Sequence, residues 1–304
     1  MPAVSRSRVL LATLLAALAA TLATASGAHA VRLSVGMGNE DPSMFTDPLF
    51  TSLKLRRVRY VTPWNTALSA TPARASADTF LGAARGRYDV LVSFATASTQ
   101  PTRPGPAPSS TAYGRAVRAF VARYPWVRTY SPWDEANTCS EPICRRPRAA
   151  AAYYRTLRAA CPRCTVIAAE VLDTDYRGMR SYLQRFIAAV GRPTPRLWAL
   201  HPYTDANRFR TIGTRTMLAT VPGTVWMTEV GGLYSYGRSF PPSTSRQTRA
   251  VRWMIRLATS SPRIQRLSYY SFDGGGTFDA GLLWPSGATR PAYGVFARWV
   301  RSLR

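Results

Sequence analysis

The feature that most constrains this chain is a recurrence. Short apolar runs of strand character return eight times, and stretches of helical spacing lie between many of them. The runs are Val31–Gly36, Arg57–Val61, Val90–Phe94, Val127–Pro132, Thr165–Val171, Leu197–His201, Val225–Thr228 and Leu267–Phe272. Many are rich in Val, Ile, Tyr and Trp, residues that suit a buried pleated surface. Helical periodicity is visible at Tyr113–Arg123, Pro147–Ala160, Gly178–Val190, Arg246–Thr259 and Ala292–Leu303. Strand alternating with helix implies a parallel sheet. Eight units in about 270 residues fit an α/β fold closed as a single (β/α)8 TIM barrel better than an open doubly wound sheet. After the first strand, Gly36-Met37-Gly38 lacks the rest of a nucleotide-phosphate fingerprint. Gly274-Gly275-Gly276 reads as a flexible loop after the last strand.

The first thirty residues read as a secretory signal peptide. Arg6 and Arg8 precede an apolar run from Val9, and Ala28-His29-Ala30 fits a small-residue cleavage site. Residues 31–304 then form one domain, expected to be secreted, extracellular and monomeric. The alternative is an uncleaved anchor, which the short apolar run disfavours. No other segment has the ~20 apolar residues of a spanning helix, so no stable membrane insertion is expected after cleavage.

The formal charge is +25, and Lys54 is the one lysine. Such an excess of arginine suits an anionic polymer partner, or else a solvated outer surface. The arginines are scattered rather than run together, which favours the surface reading and gives no nucleic-acid partner. The segment Ala97–Ser110, rich in Pro, Ser and Thr, is a long loop after the third strand, either a substrate lid or a tolerated insertion.

Four cysteines remain to be placed: Cys139, Cys144, Cys161 and Cys164. Their spacing is compatible with a zinc site and with two disulfides. In a barrel the first pair follows the fourth strand and the second follows the next helix, roughly 18 Å away. Disulfides need Cα atoms within about 7 Å. The local pairs Cys139–Cys144 and Cys161–Cys164 are therefore expected, and no metal. His201 is the one histidine after the signal, which also argues against a metal enzyme and against a serine or cysteine hydrolase.

In a TIM barrel, chemistry sits where strands end. The fourth strand ends in Trp133-Asp134-Glu135-Ala136-Asn137 and the seventh in Trp226-Met227-Thr228-Glu229-Val230-Gly231-Gly232. The sixth ends in His201-Pro202-Tyr203, and the second carries Arg59 and runs out into Pro63-Trp64-Asn65. Strand alternation puts Val225, Met227 and Glu229 on one face, so Glu229 is the last inward residue if Val225 and Met227 fill the barrel. The same parity joins Glu135 to Ser131 and His201 to Ala199. Two carboxyls facing across a cleft suit glycoside hydrolysis, one as acid and one as nucleophile or base. Arg59 and Tyr203 can donate to Glu229. Glu170 and Asp173 end the fifth strand and either line a subsite or cap turns, as do Asp273 and Asp279 in the last loop.

These motifs resemble the clan A retaining glycoside hydrolases. Their fourth-strand motif is typically Trp-Asn-Glu-Pro-Asn, and their seventh-strand motif is Trp-x-Thr-Glu-x-Gly. The resemblance implies Glu135 as general acid/base and Glu229 as nucleophile of a double displacement that needs no cofactor. It also implies that Arg59, Trp64, Asp134, Asn137, His201, Tyr203 and Trp284 orient a carbohydrate substrate. The stretch from Gly281 to Tyr293 is similar to clan members of the xylosidase and iduronidase type. Two departures stand out. The family asparagine is Asp134, which when ionised can only accept hydrogen bonds. The eighth-strand tryptophan is Phe272, with Trp284 or Trp64 as alternative stacking residues. A barrel that binds sugar without turnover, and a surface protein acting through its charge, are the rival readings.

Overall fold

The structure, a computed structural model, describes residues 33–97 and 105–304. The expected signal peptide and the centre of the Ala97–Ser110 loop lie outside these residues. Among the described residues no helix is long and apolar enough to cross a membrane.

The element order is β1 (Ser34–Gly38), α1 (Pro48–Ser52), β2 (Arg57–Pro63), α2 (Pro72–Ala84), β3 (Asp89–Ala95), α3 (Ser110–Arg123), β4 (Thr129–Ser131) and α4 (Pro147–Ala160). It continues with β5 (Thr165–Val166), β6 (Glu170–Leu172), α5 (Tyr176–Val190), β7 (Leu197–His201), α6 (Tyr203–Asn207), α7 (Ile212–Thr220) and β8 (Thr224–Val230). Then come β9 (Ser235–Tyr236), α8 (Thr244–Ala258), β10 (Ile264–Tyr270), β11 (Phe278–Asp279) and α9 (Pro291–Ser302). Local chemistry sets several helix starts. Thr71 and Ser109 accept from the backbone N–H groups of Arg74 and Ala112, and proline opens α1, α2, α4 and α9.

The parallel sheet runs β5-β4-β3-β2-β1-β10-β8-β7-β6. Its two ends, β5 and β6, are halves of the single run expected at Thr165–Val171. Thr165 and Val166 pair with β4, whereas Glu170–Leu172 pair with β7. Between them Ile167 donates to Tyr130 and Ala168 donates to Leu197. One stretch of chain thus bonds in turn to both neighbours, and this closes the (β/α)8 TIM barrel.

Two apolar clusters divide the strands by face. Leu91, Ile167 and Ala199, with Leu197 and Trp226 against them, come from four different staves and form the barrel interior. Val225 and Met227 belong instead to the larger cluster that includes the helices. The expected parity of β8 is therefore reversed, and Trp226 rather than Met227 faces inward. Glu229 still reaches the mouth because the ladder to β10 slips. Leu267 pairs with Met227 but Tyr269 pairs with Val230, so β8 carries one extra residue there. Such a bulge re-aims a side chain at a strand end. On β7 the expected parity holds, with Leu197 and Ala199 in the interior below His201.

Both local disulfides are formed, Cys139–Cys144 with Cα atoms 5.0 Å apart and Cys161–Cys164 at 5.3 Å. Beyond the barrel, β9 and β11 pair antiparallel and stand over the strand ends. The last loop is fixed by Arg290, which forms a two-pronged pair with Asp279 at 2.7 Å on each prong. The same guanidinium lies against the rings of both Tyr234 and Trp284, 4.5 and 4.4 Å from their centroids. Asp279 is thus a structural ion-pair partner.

Candidate active site

The centre of the strand-end face is Arg59 of β2, which is wholly buried. Its Nη1 donates to Glu229 Oε2 at 2.5 Å, its Nη2 to Asp134 Oδ1 at 2.5 Å, and its Nε to Glu170 Oε1 at 3.2 Å. One planar guanidinium therefore fixes carboxyl groups from three strand ends. His201, also wholly buried, forms the second hub. Its Nδ1 lies 3.0 Å from Glu135 Oε1, and its Nε2 lies 3.0 Å from Glu170 Oε1 and 3.1 Å from Thr228 Oγ1. The Tyr203 hydroxyl donates to Glu229 Oε1 at 3.0 Å. Both oxygens of Glu229 are thus held by donors, and an oxygen of Glu135 is held by the imidazole.

The backbone of the fourth-strand motif is pulled two ways. Asp134 N donates to Phe94 O of β3, and Ala136 N donates to Glu170 O of β6. Glu135 between them takes a φ of 39°, in the left-handed region. That region is costly for a side chain and is kept where surrounding bonds over-determine it. Asn137 clamps the same segment, donating to Leu172 O and accepting from Leu172 N, each at 2.8 Å. Its amide is fully engaged by backbone and acts as scaffold. Beneath it, Glu141 of the Cys139–Cys144 loop accepts from Trp133 Nε1 at 2.7 Å and from Thr96 N at 3.1 Å. Burial pushes the Glu141 carboxyl up to about 7.

The electrostatics follow from crowding. Burial opposes charge on His201, but Glu229, Glu135 and Glu170 outweigh it and hold its pKa well above the usual value. Burial likewise opposes charge on Glu170, yet Arg59 and His201 overcome it and hold that carboxyl far below the usual range. Asp134 goes the other way. Burial is the largest cause, and Glu170 and Glu229 add to it against the pull of Arg59, so its pKa is raised well above normal. Charge counting agrees. Two cations, Arg59 and His201, face the carboxyls of Asp134, Glu135, Glu170 and Glu229. Full ionisation would leave an uncompensated negative excess in a largely buried cluster, which is costly.

Asp134, His201 and Glu229 each bring a potential metal-ligand atom within 4.8 Å of the others. The cation among them is already supplied, because Arg59 donates to both carboxyl groups and both nitrogens of His201 are engaged.

Over this floor opens a cavity of about 940 Å³, bordered by Glu40, Asp134, Glu135, Tyr203, Arg208, Glu229, Tyr236, Phe240, Tyr270 and Phe278 among others. Phe278 packs edge-on to Tyr203 and Tyr236 at 5.1 and 5.2 Å, which makes an aromatic wall. Glu40 follows β1 and accepts from the Tyr270 hydroxyl at 3.1 Å. Burial and the nearby Glu229 push its carboxyl up to about 7.

A comparison with protein families matches residues 121–291 to the glycosyl hydrolase catalytic core, more than half of the chain. The chain belongs to the glycosyl hydrolase catalytic core family. It is a glycosidase whose substrate is carbohydrate. Comparison with curated proteins finds no match. Among solved structures, GH5_18 from Streptomyces cattleya in complex with GlcNAc is similar at 16% identity and a TM-score of 0.64, over 90% of this chain and 80% of that one. Xylanase 10B from Thermotoga maritima is similar at 11% identity and a TM-score of 0.61, over 90% and 97%. The exo-beta-1,4-mannosidase Op5Man5 from Opitutaceae bacterium strain TAV5 is similar at 13% identity and a TM-score of 0.63, over 89% and 59%. These likenesses show the barrel fold.

In this glycosyl hydrolase the structure brings together Arg59, Asp134, Glu135, His201, Tyr203 and Glu229. It does not bring Trp64 or Trp284 to the cavity. Trp64 is half-buried against the main core, and Trp284 packs against Tyr234 and Arg290. Phe272 is wholly buried and packs edge-on to Phe50, so it is core. The aromatic residue that borders the cavity from β10 is Tyr270. Glu170 is a buried hub of the site, and Asp173 caps α6 by accepting from the N–H groups of Thr204 and Asp205. Glu40 and Tyr270 sit at or just past strand ends and were open to the same strand-end rule. Arg208, Phe240 and Phe278 come from loops and short elements with no sequence periodicity to mark them.

Proposed function

We propose that this glycosidase is a secreted, retaining O-glycoside hydrolase acting by double displacement on an oligo- or polysaccharide. The observation that carries the reading is the unequal dressing of two glutamates on one cavity. Glu229 accepts from Arg59 and Tyr203, while Glu135 shares a hydrogen bond with His201. Two donors favour an anion at Glu229, which suits a nucleophile. Glu135 has the single contact with His201 at Oε1 and borders the cavity, which suits the residue that exchanges protons with the leaving group and water.

In the first step Glu229 attacks the anomeric carbon, and Glu135 gives its proton to the departing oxygen. The product is a glycosyl ester of Glu229, and charge at that oxygen is lost. Glu135, now a carboxylate, removes a proton from water, which attacks the anomeric carbon and frees Glu229 with retained configuration. Asp134 keeps Oδ1 on Arg59. Its raised pKa favours a proton on the other oxygen, which would let it donate to a sugar hydroxyl as an asparagine amide does. The two disulfides suit an exported protein.

Trapping with a panel of 2-fluoro glycosides, followed by peptide mapping, tests the assignment. Label on Glu229, with NMR showing the product first formed in the substrate's anomeric configuration, is the expected result. Label elsewhere, or inversion, overturns the mechanism.

A further inference from the structure

Four carboxyls border the cavity, those of Glu40, Asp134, Glu135 and Glu229, at or just past strand ends. Among the described residues, Arg208 is the one cationic side chain that borders it. Its guanidinium lies 4.7 Å from the centroid of the Phe240 ring. A second guanidinium, Arg246, lies 5.4 Å from the same centroid. Arg246 is pinned by donation to Leu233 O at 3.3 Å and to Tyr234 O at 2.8 Å, and its buried Nε–H has no partner. No carboxylate among the described residues forms an ion pair with either arginine. Two like charges thus share one ring with no ion-paired counter-charge, although four carboxyls border the same cavity. Burial and Arg208 together lower the pKa of Arg246, in keeping with that crowding.

Other arginines of this chain also stack on rings, as Arg249 does on Phe209, but among the described residues Arg208 is the one that does so at the cavity. Arg208 is oriented by its ring, exposed, and placed on the wall of the cavity in which sugar is cleaved. A guanidinium stacked in this way keeps its edge N–H groups free for two-pronged bonding to an oxyanion.

We propose that the substrate is an acidic glycan, and that Arg208, stacked on Phe240, binds its anionic substituent, a carboxylate or a sulfate ester. Arg246 supplies supporting positive potential behind it. This inference rests on the reading of the cavity as the glycosidase cleft.

Binding without turnover separates the two. The Glu229→Gln protein is titrated by calorimetry with neutral oligosaccharides, oligouronides and sulfated oligosaccharides of equal length. At least one acidic series is expected to bind about tenfold tighter than the neutral one, the worth of one charge-assisted contact. That advantage should shrink as salt is raised. It should vanish in Glu229→Gln/Arg208→Gln and persist in part in Glu229→Gln/Arg208→Lys, with circular dichroism reporting that each variant is folded. Preference for the uronide or for the sulfated series identifies the anion. Equal binding of all three, binding of neither acidic series, or a preference that survives Arg208→Gln overturns the proposal. Failure of the wild-type protein to cleave any glycan while the Arg208-dependent preference stands would sink the hydrolytic reading alone.

Discussion

Asp134 stands where the resembling enzymes carry asparagine, and an ionised aspartate there can only accept hydrogen bonds. Its surroundings disfavour that ionised form. Arg59 occupies one oxygen, and burial with Glu170 and Glu229 raises the pKa, which favours a proton, and so a donor, on the other oxygen. Asn would present an N–H in the same place. Asp134→Asn is therefore expected to keep kcat/KM within about threefold, whereas Asp134→Ala should lower it by about ten- to a hundredfold through loss of the hydrogen bond. The sign of the pH effect follows. Wild-type activity falls as rising pH removes the Asp134 proton, and an amide has none to lose, so the alkaline limb should move to higher pH in Asp134→Asn. A limb that does not move would show that this proton is not used. The individual residues were legible where a strand-end motif marked them, as with Arg59, His201, Tyr203 and the two glutamates. Residue identity did not announce that Asn137 would spend both ends of its amide on Leu172, or that Glu170 would be the buried anion joining Arg59 to His201. Those roles depend on which strands become neighbours.

At the scale of elements, β8 shows what a pattern can and cannot carry. Its apolar run marks a strand, and its Glu-x-Gly-Gly ending marks a tight exit. Alternation assigned the wrong face to Val225 and Met227, because period two assumes an unbroken ladder and this one gains a residue between Met227 and Val230. The glycines after it answer to packing. A Cβ on Gly231 would lie 2.1 Å from the carbonyl oxygen of Tyr270, and one on Gly232 would lie 2.5 Å from that of Gln247. Backbone of β10 and α8 thus crosses hard against the exit of β8, and neither carbonyl can swing aside. Gly231→Ala should cost about 1–3 kcal/mol, the range for overpacking a filled site. It should also lower kcat more than the loss of stability explains, since Glu229 lies two residues away. Thermal unfolding and steady-state rates on one preparation check both, and an unchanged midpoint would contradict the close approach. The pair β9 and β11 was hidden for a different reason. Each is two residues long, too short for any periodicity, and they meet only because the closed barrel brings two loops together.

For the molecule as a whole, the buried acids set how stability depends on pH. The barrel was readable from its eight alternating units, because closure follows from the count and order of elements. The protonation of its interior was not, because it depends on distances between strand ends. Burial raises Glu141 and Asp173 to about 7 in the folded chain. A carboxyl whose folded pKa is raised contributes stability below its unfolded value, and that contribution is lost as pH rises through the folded one. For these two the window runs from the ordinary carboxylate range, near 4, up to about 7. Glu170 has the opposite sign. Its folded pKa is depressed, so its contribution is present above the ordinary range and lost in strong acid. Maximum stability is therefore expected in acid near the ordinary carboxylate range, with a decline between about pH 4 and pH 7. Glu141→Gln isolates one share of that decline. The amide oxygen can still accept from Trp133 Nε1 and Thr96 N, and the side chain no longer ionises. The variant should match wild type near pH 4 and exceed it at pH 8 by up to about 3 kcal/mol, the full worth of such a shift. Denaturant unfolding at the two pH values measures the difference. A variant less stable than wild type at both would mean that the ionised carboxylate, rather than the hydrogen bonds it accepts, holds the disulfide loop against Trp133.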